Sequence, residues 1–466
     1  MSLGNSVSMR RLGRRGRGAA IALALAATAG CAGEAGNAIA PDSDNARVAS
    51  VAIRAVDAPL FAGDTVQLTA EARDDAGRVV PDASIGWTVS NDTRAVVDQR
   101  GRLVGVGHGP LTVTATAGRV TASREVITRL TTEERRFGYA WVHDATTSTT
   151  YGPNSTYQFN ETGGGITVSR RATGEYVVSF ERMAKVDSAF RETVLVTPFG
   201  AAGERCRLNG WGDAPNGRDL DVSVSCYTFS GTHIDTRFSV LVVGSRSLPS
   251  RMGFTVAGDA SSAFAPQPNR TYSSFADHVG ISRSAAGSYL VQMDGAVDNT
   301  PQNYFVSTYG TASDLCKVSS WNRGVWASVI CYASSGALTD SRFSLLMVER
   351  GRPDKRFGFA WANEPSIALG SSYTPNLEYQ RTSSGQPVRI GHSSTGAYQV
   401  VFPGLGKVGN RPETVQVSPY GGGLYTCQVQ GWTSGSDGAS LDATVRCWNS
   451  ASGEPADTYF TILVLE

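Results

Sequence analysis

The sequence predicts an all-β protein in which one β-sandwich is followed by three tandem, disulfide-bonded, β-sandwich-like modules. Three observations predict this fold class. Apolar and polar residues alternate with the period of two that half-buried strands show, and no window combines helical periodicity with helix caps. Eight sequence landmarks recur in the same order three times over residues 137–466. Six of the seven cysteines fall into three local pairs within those copies.

The first 31 residues have the layout of a secretory signal. Five arginines and no acidic residue occur in the first 30 positions, and an apolar run follows at 19–27. That run is too short to cross a bilayer, which requires ~20 apolar residues. The tetrapeptide Thr-Ala-Gly-Cys at 28–31 resembles the lipobox of bacterial lipoproteins, with Thr28 where that motif usually has Leu. The resemblance implies lipidation of Cys31, and the alternative is an ordinary cleavable signal with an incidental cysteine.

Composition after this segment limits the class of partner. Residues 32–48 are small and polar and predict a flexible tether. The whole chain has 42 basic and 41 acidic residues, and removal of the five N-terminal arginines leaves 37 basic residues, a net charge of −4. A broad nucleic-acid footprint requires a basic face. We therefore expect no nucleic-acid partner, and we expect contact with a membrane only through a lipid anchor.

Residues 49–128 alternate as half-buried strands do: Val66 and Leu68 share one face of a strand, and Leu111 and Val113 share another. Four stretches, at 63–70, 85–91, 95–98 and 101–109, together resemble the bacterial Ig-like domain of group 2, which is related to the modules of invasins and intimins. The resemblance implies an Ig-like β-sandwich without a disulfide, with Trp87 in its core. In that family the domain is mostly a spacer or an adhesive module, so it indicates a fold more than a function.

Three aspartates of this segment have two interpretations. Asp74, Asp75 and Asp82 could help to bind a calcium ion at a domain edge, or they could be turn residues. We favour the turn because their spacing is not the regular spacing of a calcium loop.

The repeats span 137–243, 253–348 and 357–466. Each is long enough for the seven or eight short strands of a sandwich, so we expect each to bury its own core as an independent unit. The first four landmarks are Phe-x-x-Ala, beginning at Phe137, Phe254 and Phe357; Pro-Asn-x-x-Tyr, ending at Tyr157, Tyr272 and Tyr379; Gly-x-Tyr, ending at Tyr176, Tyr289 and Tyr398; and an aromatic residue followed by Gly, beginning at Phe199, Tyr309 and Tyr420. The next three are a first Cys with a Trp five positions later, a second Cys, and Ser-Gly. The last is Asp-x-x-Phe, beginning at Asp235, Asp340 and Asp457.

The six repeat cysteines predict three disulfides, one within each copy. An even set in an exported chain is typical of disulfides. Zinc is the alternative, but no pair has the close Cys-x-x-Cys spacing, and the five histidines are scattered. The predicted pairs, separated by 20, 15 and 20 residues, are Cys206–Cys226, Cys316–Cys331 and Cys427–Cys447.

The search for catalytic residues finds none. The stretch Gly-His-Ser-Ser-Thr at 391–395 has the spacing of a nucleophile elbow, but that motif requires a strand, a sharp turn and a helix, and another strand pattern follows here. The landmark aspartates are expected to cap turns, and the landmark tryptophans to pack in the core near the disulfides. These tryptophans are Trp211, Trp321 and Trp432.

The residues that differ between copies are the candidates for ligand contact. Copies one and three carry Trp141 and Trp361 in the opening strand, and the pattern Phe-x-x-Ala aligns Gly258 of copy two with them. A residue that the core requires should occur in every copy, whereas a surface aromatic can be absent from one. We therefore predict that Trp141 and Trp361 contact a ligand, since flat aromatic rings suit both sugars and protein partners.

Taken together, the sequence predicts an exported, lipid-anchored surface protein that binds a glycan or another surface protein. We expect no enzymatic activity, no cofactor and no metal. A structural stalk or envelope component without a specific ligand is the alternative, followed by a hydrolase with an unfamiliar site.

Overall fold

The computed structural model describes the Ig-like segment and most of the three repeats. The signal segment, Cys31 and most of the tether lie outside the described residues. Described are 47–54, 60–61, 64–92, 94–106, 109–129, 136–184, 191–245, 252–259, 267, 270–274, 278–293, 300–323, 325–349, 355–407, 409, 411–435 and 438–466. Within these ranges, no helix has the length and apolar character needed to span a membrane.

The N-terminal domain is a β-sandwich, as the sequence predicts. Its core is formed by one face of each alternating strand and includes Trp87, which is 6% exposed, and Leu103. Asp74 accepts a hydrogen bond from the Arg78 backbone N–H at 2.8 Å in a turn, which supports the turn interpretation. The strands are β1 (Ser50–Ile53), β2 (Leu60–Phe61), β3 (Thr65–Gln67), β4 (Ala70–Arg73), β5 (Gly86–Val89), β6 (Ala95–Val97), β7 (Arg102–Gly105), β8 (Gly109–Ala117) and β9 (Val120–Arg129).

Repeat 1 consists of two four-stranded antiparallel sheets with a core between them. The first sheet has the order β11-β10-β17-β14 and the second β12-β13-β16-β15. Alternate residues of both sheets, such as Val178 and Val240, fill the core and are fully buried. The strands are β10 (Phe137–Val142), β11 (Gln158–Asn160), β12 (Ile166–Ala172), β13 (Glu175–Phe180), β14 (Glu192–Phe199), β15 (Arg205–Asp213), β16 (Leu220–Tyr227) and β17 (Arg237–Gly244).

Repeats 2 and 3 have two sheets of the same kind, and the second sheet of repeat 3 has one additional strand, β27, beside β29. Repeat 2 contains β18 (Met252–Ala257), β19 (Tyr272–Ser273), β20 (Val279–Ala285), β21 (Ser288–Met293), β22 (Asn303–Tyr309), β23 (Leu315–Asn322), β24 (Trp326–Tyr332) and β25 (Arg342–Val348). Repeat 3 contains β26 (Phe357–Ala362), β27 (Ser372–Tyr373), β28 (Gln380–Thr382), β29 (Arg389–Ser394), β30 (Ala397–Pro403), β31 (Thr414–Pro419), β32 (Tyr425–Ser434), β33 (Ser440–Asn449) and β34 (Phe460–Leu465).

The disulfide predictions are confirmed. In each repeat the two cysteines face each other across two neighbouring strands of the second sheet, for example Cys206 on β15 opposite Cys226 on β16. The pairs are Cys206–Cys226, Cys316–Cys331 and Cys427–Cys447. Each disulfide therefore stabilises one hairpin within one repeat.

The expectation that the repeats are independent units is wrong, because sheets run from one repeat into the next. The last residue of β14 pairs in parallel with β32 of repeat 3, through Phe199 and Val429. The equivalent pairings join Tyr309 of repeat 2 to repeat 1, and Tyr420 of repeat 3 to repeat 2. Repeat 1 thus contacts 3, repeat 3 contacts 2, and repeat 2 contacts 1, which closes a ring of three head-to-tail contacts.

A core shared by all three repeats occupies the centre of this ring. The first sheets of the repeats turn their second face inward, so their strands are buried on both sides. The shared core contains Phe137, Tyr139, Leu195, Leu241, Val243, Met252, Phe254, Phe305, Leu346, Val348, Phe357, Phe359, Leu463 and Leu465. Each repeat therefore has its own core, as predicted, and contributes a second apolar face to a common one.

Hydroxyl groups join the edge strands β14, β22 and β31 around the centre. A free strand edge leaves backbone N–H groups without partners, and here a Ser or Thr of the neighbouring repeat accepts from one N–H of each edge. The bonds run from Val196 N–H to Ser307 at 2.9 Å, from Val306 N–H to Ser418 at 3.4 Å, and from Val417 N–H to Thr197 at 3.1 Å. These donors run from repeat 1 to 2, from 2 to 3 and from 3 to 1, which is the reverse of the order given for the strand pairings.

Candidate functional site

The boundaries between repeats bring together most of the aromatic landmarks. We call the boundary between repeats 1 and 3 the first seam, that between repeats 2 and 1 the second seam, and that between repeats 3 and 2 the third seam. The aromatic-Gly landmark lies at each seam because its glycine donates a backbone hydrogen bond to the neighbouring repeat, at 3.0, 2.7 and 2.9 Å. These glycines, Gly200, Gly310 and Gly421, have φ of 152°, 115° and 87°, a region that favours glycine.

The strand register corrects the alignment of Trp141 and Trp361 with Gly258. Trp141 lies opposite Ser239 and Trp361 opposite Thr461, whereas the residue opposite the equivalent Ser344 is Val256. Val256 is fully buried and packs into the core of repeat 1. Copy two therefore replaces the tryptophan with a core valine, and Gly258 lies two residues further along the chain.

The same shift applies to the Pro-Asn-x-x-Tyr landmark in copy two. Tyr157 and Tyr379 close 3₁₀ turns by donating their backbone N–H to Asn154 and Asn376, at 2.9 Å in both cases. The residue that makes this bond in repeat 2 is Arg270, which donates to Gln267 at 2.9 Å. Arg270, and not Tyr272, is thus the counterpart of the two tyrosines.

The first seam contains an aromatic pocket. Trp141, Tyr157 and Phe199 of repeat 1 meet Trp432 of repeat 3, with ring centroids between 5.0 and 6.4 Å apart. Together with Gly431 these residues line a pocket of about 160 Å³. A cavity of about 150 Å³ accommodates a six-membered ring, so the pocket has room for one sugar ring or one flat side chain.

The walls of this pocket carry unused hydrogen-bond donors. The indole nitrogens of Trp141 and Trp432 are buried and have no hydrogen-bond partner among the described residues. Tyr157 stands edge-on to both indoles, at 5.2 and 5.3 Å. The guanidinium carbon of Arg237 lies over the Phe199 ring, 5.0 Å from its centroid.

The third seam has the same arrangement around Trp361. This indole contacts Tyr379 and Tyr420 of its own repeat and Trp321 of repeat 2, with centroids 4.8 to 5.2 Å apart. Tyr459 adds a further ring at 6.2 Å, at the position that Arg237 occupies in the first seam.

The second seam replaces the tryptophan and tyrosine with a cation. Arg270 lies over the Trp211 ring at 4.1 Å and donates a hydrogen bond to the Trp211 backbone carbonyl at 2.7 Å. Tyr309 meets the same indole at 5.4 Å. The landmark tryptophans are thus buried or half-buried. They lie at the seams, in or against the core clusters that also contain the disulfide cysteines.

The landmark aspartates cap turns, as predicted. Asp235 accepts from the backbone N–H of Gly174 at 2.7 Å and from the hydroxyl of Tyr176 at 2.9 Å, so one carboxylate explains the Gly-x-Tyr and Asp landmarks together. The Arg170 guanidinium beside it is the largest of the effects that lower the pKa of Asp235. Asp340 and Asp457 make the equivalent bonds in the other repeats.

The stretch at 391–395 is part of a strand and its hairpin, which is not the geometry of a nucleophile elbow. His392 is buried, and its two ring nitrogens lie 2.7 Å from the Ile367 carbonyl oxygen and 2.9 Å from the Asp457 carboxylate. The histidine therefore takes the place that Arg170 has in repeat 1. Among the described residues no three His, Cys, Asp or Glu side chains form a potential metal site.

The position after each first cysteine points across a seam. Gln428 donates to the Glu204 carbonyl oxygen of repeat 1 at 2.6 Å, and Lys317 donates to the Gly422 carbonyl oxygen of repeat 3 at 3.1 Å. Arg207 is the third member of the set. Burial lowers the pKa of Lys317 to about 7, and no ion pair joins it to an acid within the part of the chain that the structure describes.

Replacement of Lys317 should remove a pH dependence of stability. The unfolded chain keeps this lysine protonated up to a pKa of about 10.4, whereas the folded chain releases the proton near pH 7. Between these values the unfolded state binds more protons, so the free energy of unfolding of the wild type rises with pH, by at most about 1.4 kcal/mol per pH unit. Lys317→Met should lack this rise in urea unfolding between pH 7 and 10.

Lys317→Gln is the matched variant, because glutamine is the residue of repeat 3 at this position. The same loss of pH dependence in both variants would assign the effect to the charge. If the free energy of unfolding still rose with pH in both variants, the pH dependence could not be assigned to Lys317.

Sequence reasoning identified Trp141 and Trp361 but not their neighbours across the seams. Tyr157, Phe199 and Trp432 all belong to recurring landmarks, and only for the tryptophan does the sequence predict core packing. One sequence signal could have identified the seams. An aromatic residue followed by glycine recurs in every copy, and a glycine allows another backbone to approach closely.

Comparisons with known proteins support the N-terminal assignment. Residues 47–127 match the family model of the bacterial Ig-like domain (group 2), which confirms the predicted resemblance. The crystal structure of an S-layer protein, rSbsC, matches with 10% identity and a TM-score of 0.18 over 72% of this chain and 40% of that chain, so this chain spans less than half of that protein. A TM-score of this size carries no weight for fold or function. No curated protein matches the chain.

The family match and the three disulfides indicate an extracellular protein of the surface or adhesion type. The Ig-like domain and the all-β fold are typical of non-enzymatic proteins.

Proposed function

We propose that this protein is a lipid-anchored surface protein of a bacterium, and that the ring of three repeats binds a glycan or a surface protein without catalysing a reaction. The aromatic pocket of the first seam supports this proposal most strongly. It combines four aromatic residues from two repeats with unsatisfied indole N–H groups. Aromatic faces with a few polar donors are typical of ligand sites.

A saccharide is the ligand that this pocket suits best. The volume of about 160 Å³ fits one ring and not a larger apolar ligand. The C–H face of a sugar can stack on an exposed part of an indole face. The half-buried Trp361 offers a ring of the same kind at the third seam, which would allow two contacts on one molecule and a gain in avidity.

In this proposal the Ig-like domain is a spacer between the lipid at Cys31 and the ring. Cys31 lies outside the described residues, so the anchor rests on the lipobox-like sequence at 28–31. Mass spectrometry of the mature protein tests it directly. A diacylglyceryl group on Cys31 is expected, and a mature chain that begins elsewhere without lipid would contradict the anchor.

Replacement of Trp141 should weaken ligand binding. We expect the full chain to bind a subset of saccharides on a glycan array, and Trp141→Ala to lower the affinity about 5- to 150-fold, since loss of one stacked ring costs about 1 to 3 kcal/mol. The double variant Trp141→Ala/Trp361→Ala should bind no saccharide measurably. Circular dichroism would establish that each variant remains folded.

Trp326→Ala is the matched control, because this half-buried indole lies on β24 outside the three seam clusters. It should bind as the wild type does. Unchanged affinity in the double variant would contradict the proposed site. Absence of binding to saccharides and to surface proteins would favour the structural stalk.

A further inference from the structure

Two arginines of repeat 1 are almost completely buried at the second seam. Arg205 is 4% exposed and Arg207 is 3% exposed, both on β15. The Nε and Nη1 atoms of both side chains are buried and have no hydrogen-bond partner within the described part of the chain. An unsatisfied buried donor is costly, and a buried charge without a partner is more so. These four nitrogen atoms therefore require an acceptor.

Repeat 2 contributes a third cation to the same place. A Cβ atom placed on Gly310 would lie 2.6 Å from Nη2 of Arg342 and 3.2 Å from Nη2 of Arg207, so the two guanidinium groups approach one point. Burial, with the charges of Arg342 and Arg205 as smaller contributions, lowers the pKa of Arg207 to about 10. Burial also lowers the pKa of Arg205. The guanidinium groups of Arg207 and Arg342 thus meet at the seam, and the charge of Arg205 acts on the same place. Arg205 and Arg207 are largely excluded from solvent, and Arg342 is half-buried.

The protein itself offers few acidic groups or acceptors for these buried guanidinium groups. The negative charge of Asp314 raises the pKa of both buried arginines, but less than burial lowers it. Among the described residues Asp314 forms no ion pair with either arginine. Arg205 donates from Nη2 to the carbonyl oxygens of Thr228 and Phe229, at 3.3 and 3.1 Å, which leaves its other two nitrogens unused.

The equivalent positions of the other repeats are satisfied. Gln428, the counterpart of Arg207 in repeat 3, is neutral and donates to Glu204 across the first seam at 2.6 Å. Lys317, the counterpart in repeat 2, donates to Gly422. Among the three residues that follow a first cysteine, only Arg207 at the second seam therefore has buried donors without an acceptor in the described part of the chain.

We propose that the second seam binds a small oxyanion of the class of sulfate, phosphate or a carboxylate, held by the guanidinium groups of Arg205 and Arg207 with Arg342 beside them. A guanidinium group donates two parallel hydrogen bonds to such an anion. The unsatisfied N–H groups are closed off from solvent, so the ion must be small enough to be enclosed. It would fasten repeat 2 to repeat 1 where the other seams use protein contacts alone.

Thermal unfolding of the full chain tests this site. At constant ionic strength, chloride is replaced stepwise by sulfate, phosphate or acetate. The melting temperature should rise with the concentration of at least one oxyanion and then level off, as expected for one site that exists only in the folded state. Arg207→Gln, which introduces the residue of repeat 3, should lack this saturable rise.

Arg237→Gln is the matched control, because Arg237 is an exposed arginine beside an aromatic ring at the first seam. It should keep the wild-type response. Sulfate also stabilises proteins without binding, so an identical rise in Arg207→Gln would overturn the proposal, as would no rise in the wild type. If Arg207→Gln does not fold, isothermal titration of the wild type with each oxyanion decides: saturable binding of one ion supports the site, and no binding overturns it.

Discussion

Replacement of Phe254 by alanine should destabilise all three repeats together, and not repeat 2 alone. This side chain is fully buried in the shared core, to which Phe137 of repeat 1 and Phe359 of repeat 3 also belong. Loss of a buried phenylalanine costs about 3 to 5 kcal/mol. Because the three inner sheets cover the same core, hydrogen–deuterium exchange should become faster in β17 of repeat 1 and β34 of repeat 3 as well as in β25.

Leu103→Ala is the control for this prediction. Leu103 is fully buried in the separate core of the Ig-like domain. Its replacement should leave exchange in the repeats unchanged. Faster exchange confined to repeat 2 in Phe254→Ala would mean that the repeats unfold independently.

Removal of one repeat disulfide should have the second largest effect on stability, and the pair of repeat 2 is the first case. Cys316 and Cys331 close a loop with a sequence separation of 15, and closure of such a loop contributes about 3 kcal/mol in the chain-entropy model. Cys316→Ala/Cys331→Ala should therefore lower the free energy of unfolding by about that amount in urea titrations. The loss should appear in the unfolding of the whole ring, since repeat 2 supplies one third of its shared core.

The pair Cys427 and Cys447 offers a comparison at the longer separation of 20. Its removal should cost slightly more, because closure entropy grows slowly with loop length. A change below about 1 kcal/mol for both pairs would contradict a stabilising role of the disulfides.

The strands, the disulfide pairs and the turn aspartates could be predicted from the sequence because each depends on local pattern. Alternation identifies a half-buried strand, and neighbouring cysteines on paired strands lie close together. The closed ring could not be predicted in this way, since it depends on contacts between copies. One signal was present: the closing strand of repeat 1 reads Val-Leu-Val-Val at 240–243, and an unbroken apolar run is typical of a strand buried on both faces.

The candidate site, too, depends on contacts between copies that local sequence pattern does not reveal. The sequence identified Trp141 as a possible contact residue, but Trp432, which completes the pocket, comes from a repeat almost 300 positions away in the chain. The alignment of Trp141 with Gly258 was wrong because the Phe-x-x-Ala pattern of copy two begins at Phe254, two residues after Met252, the true counterpart of Phe137. The pairing of Met252 with Val348, equivalent to that of Phe137 with Val243, reveals the correct register.

Native-state hydrogen exchange of the full chain at increasing urea concentration tests most directly whether the three repeats form one folding unit. The strands to compare are β14, β22 and β31, which meet at the centre of the ring. We predict that their amides converge on one common free energy of opening, while the Ig-like domain opens at its own value. Three different free energies, one for each repeat, would contradict the closed ring and restore a chain of independent modules.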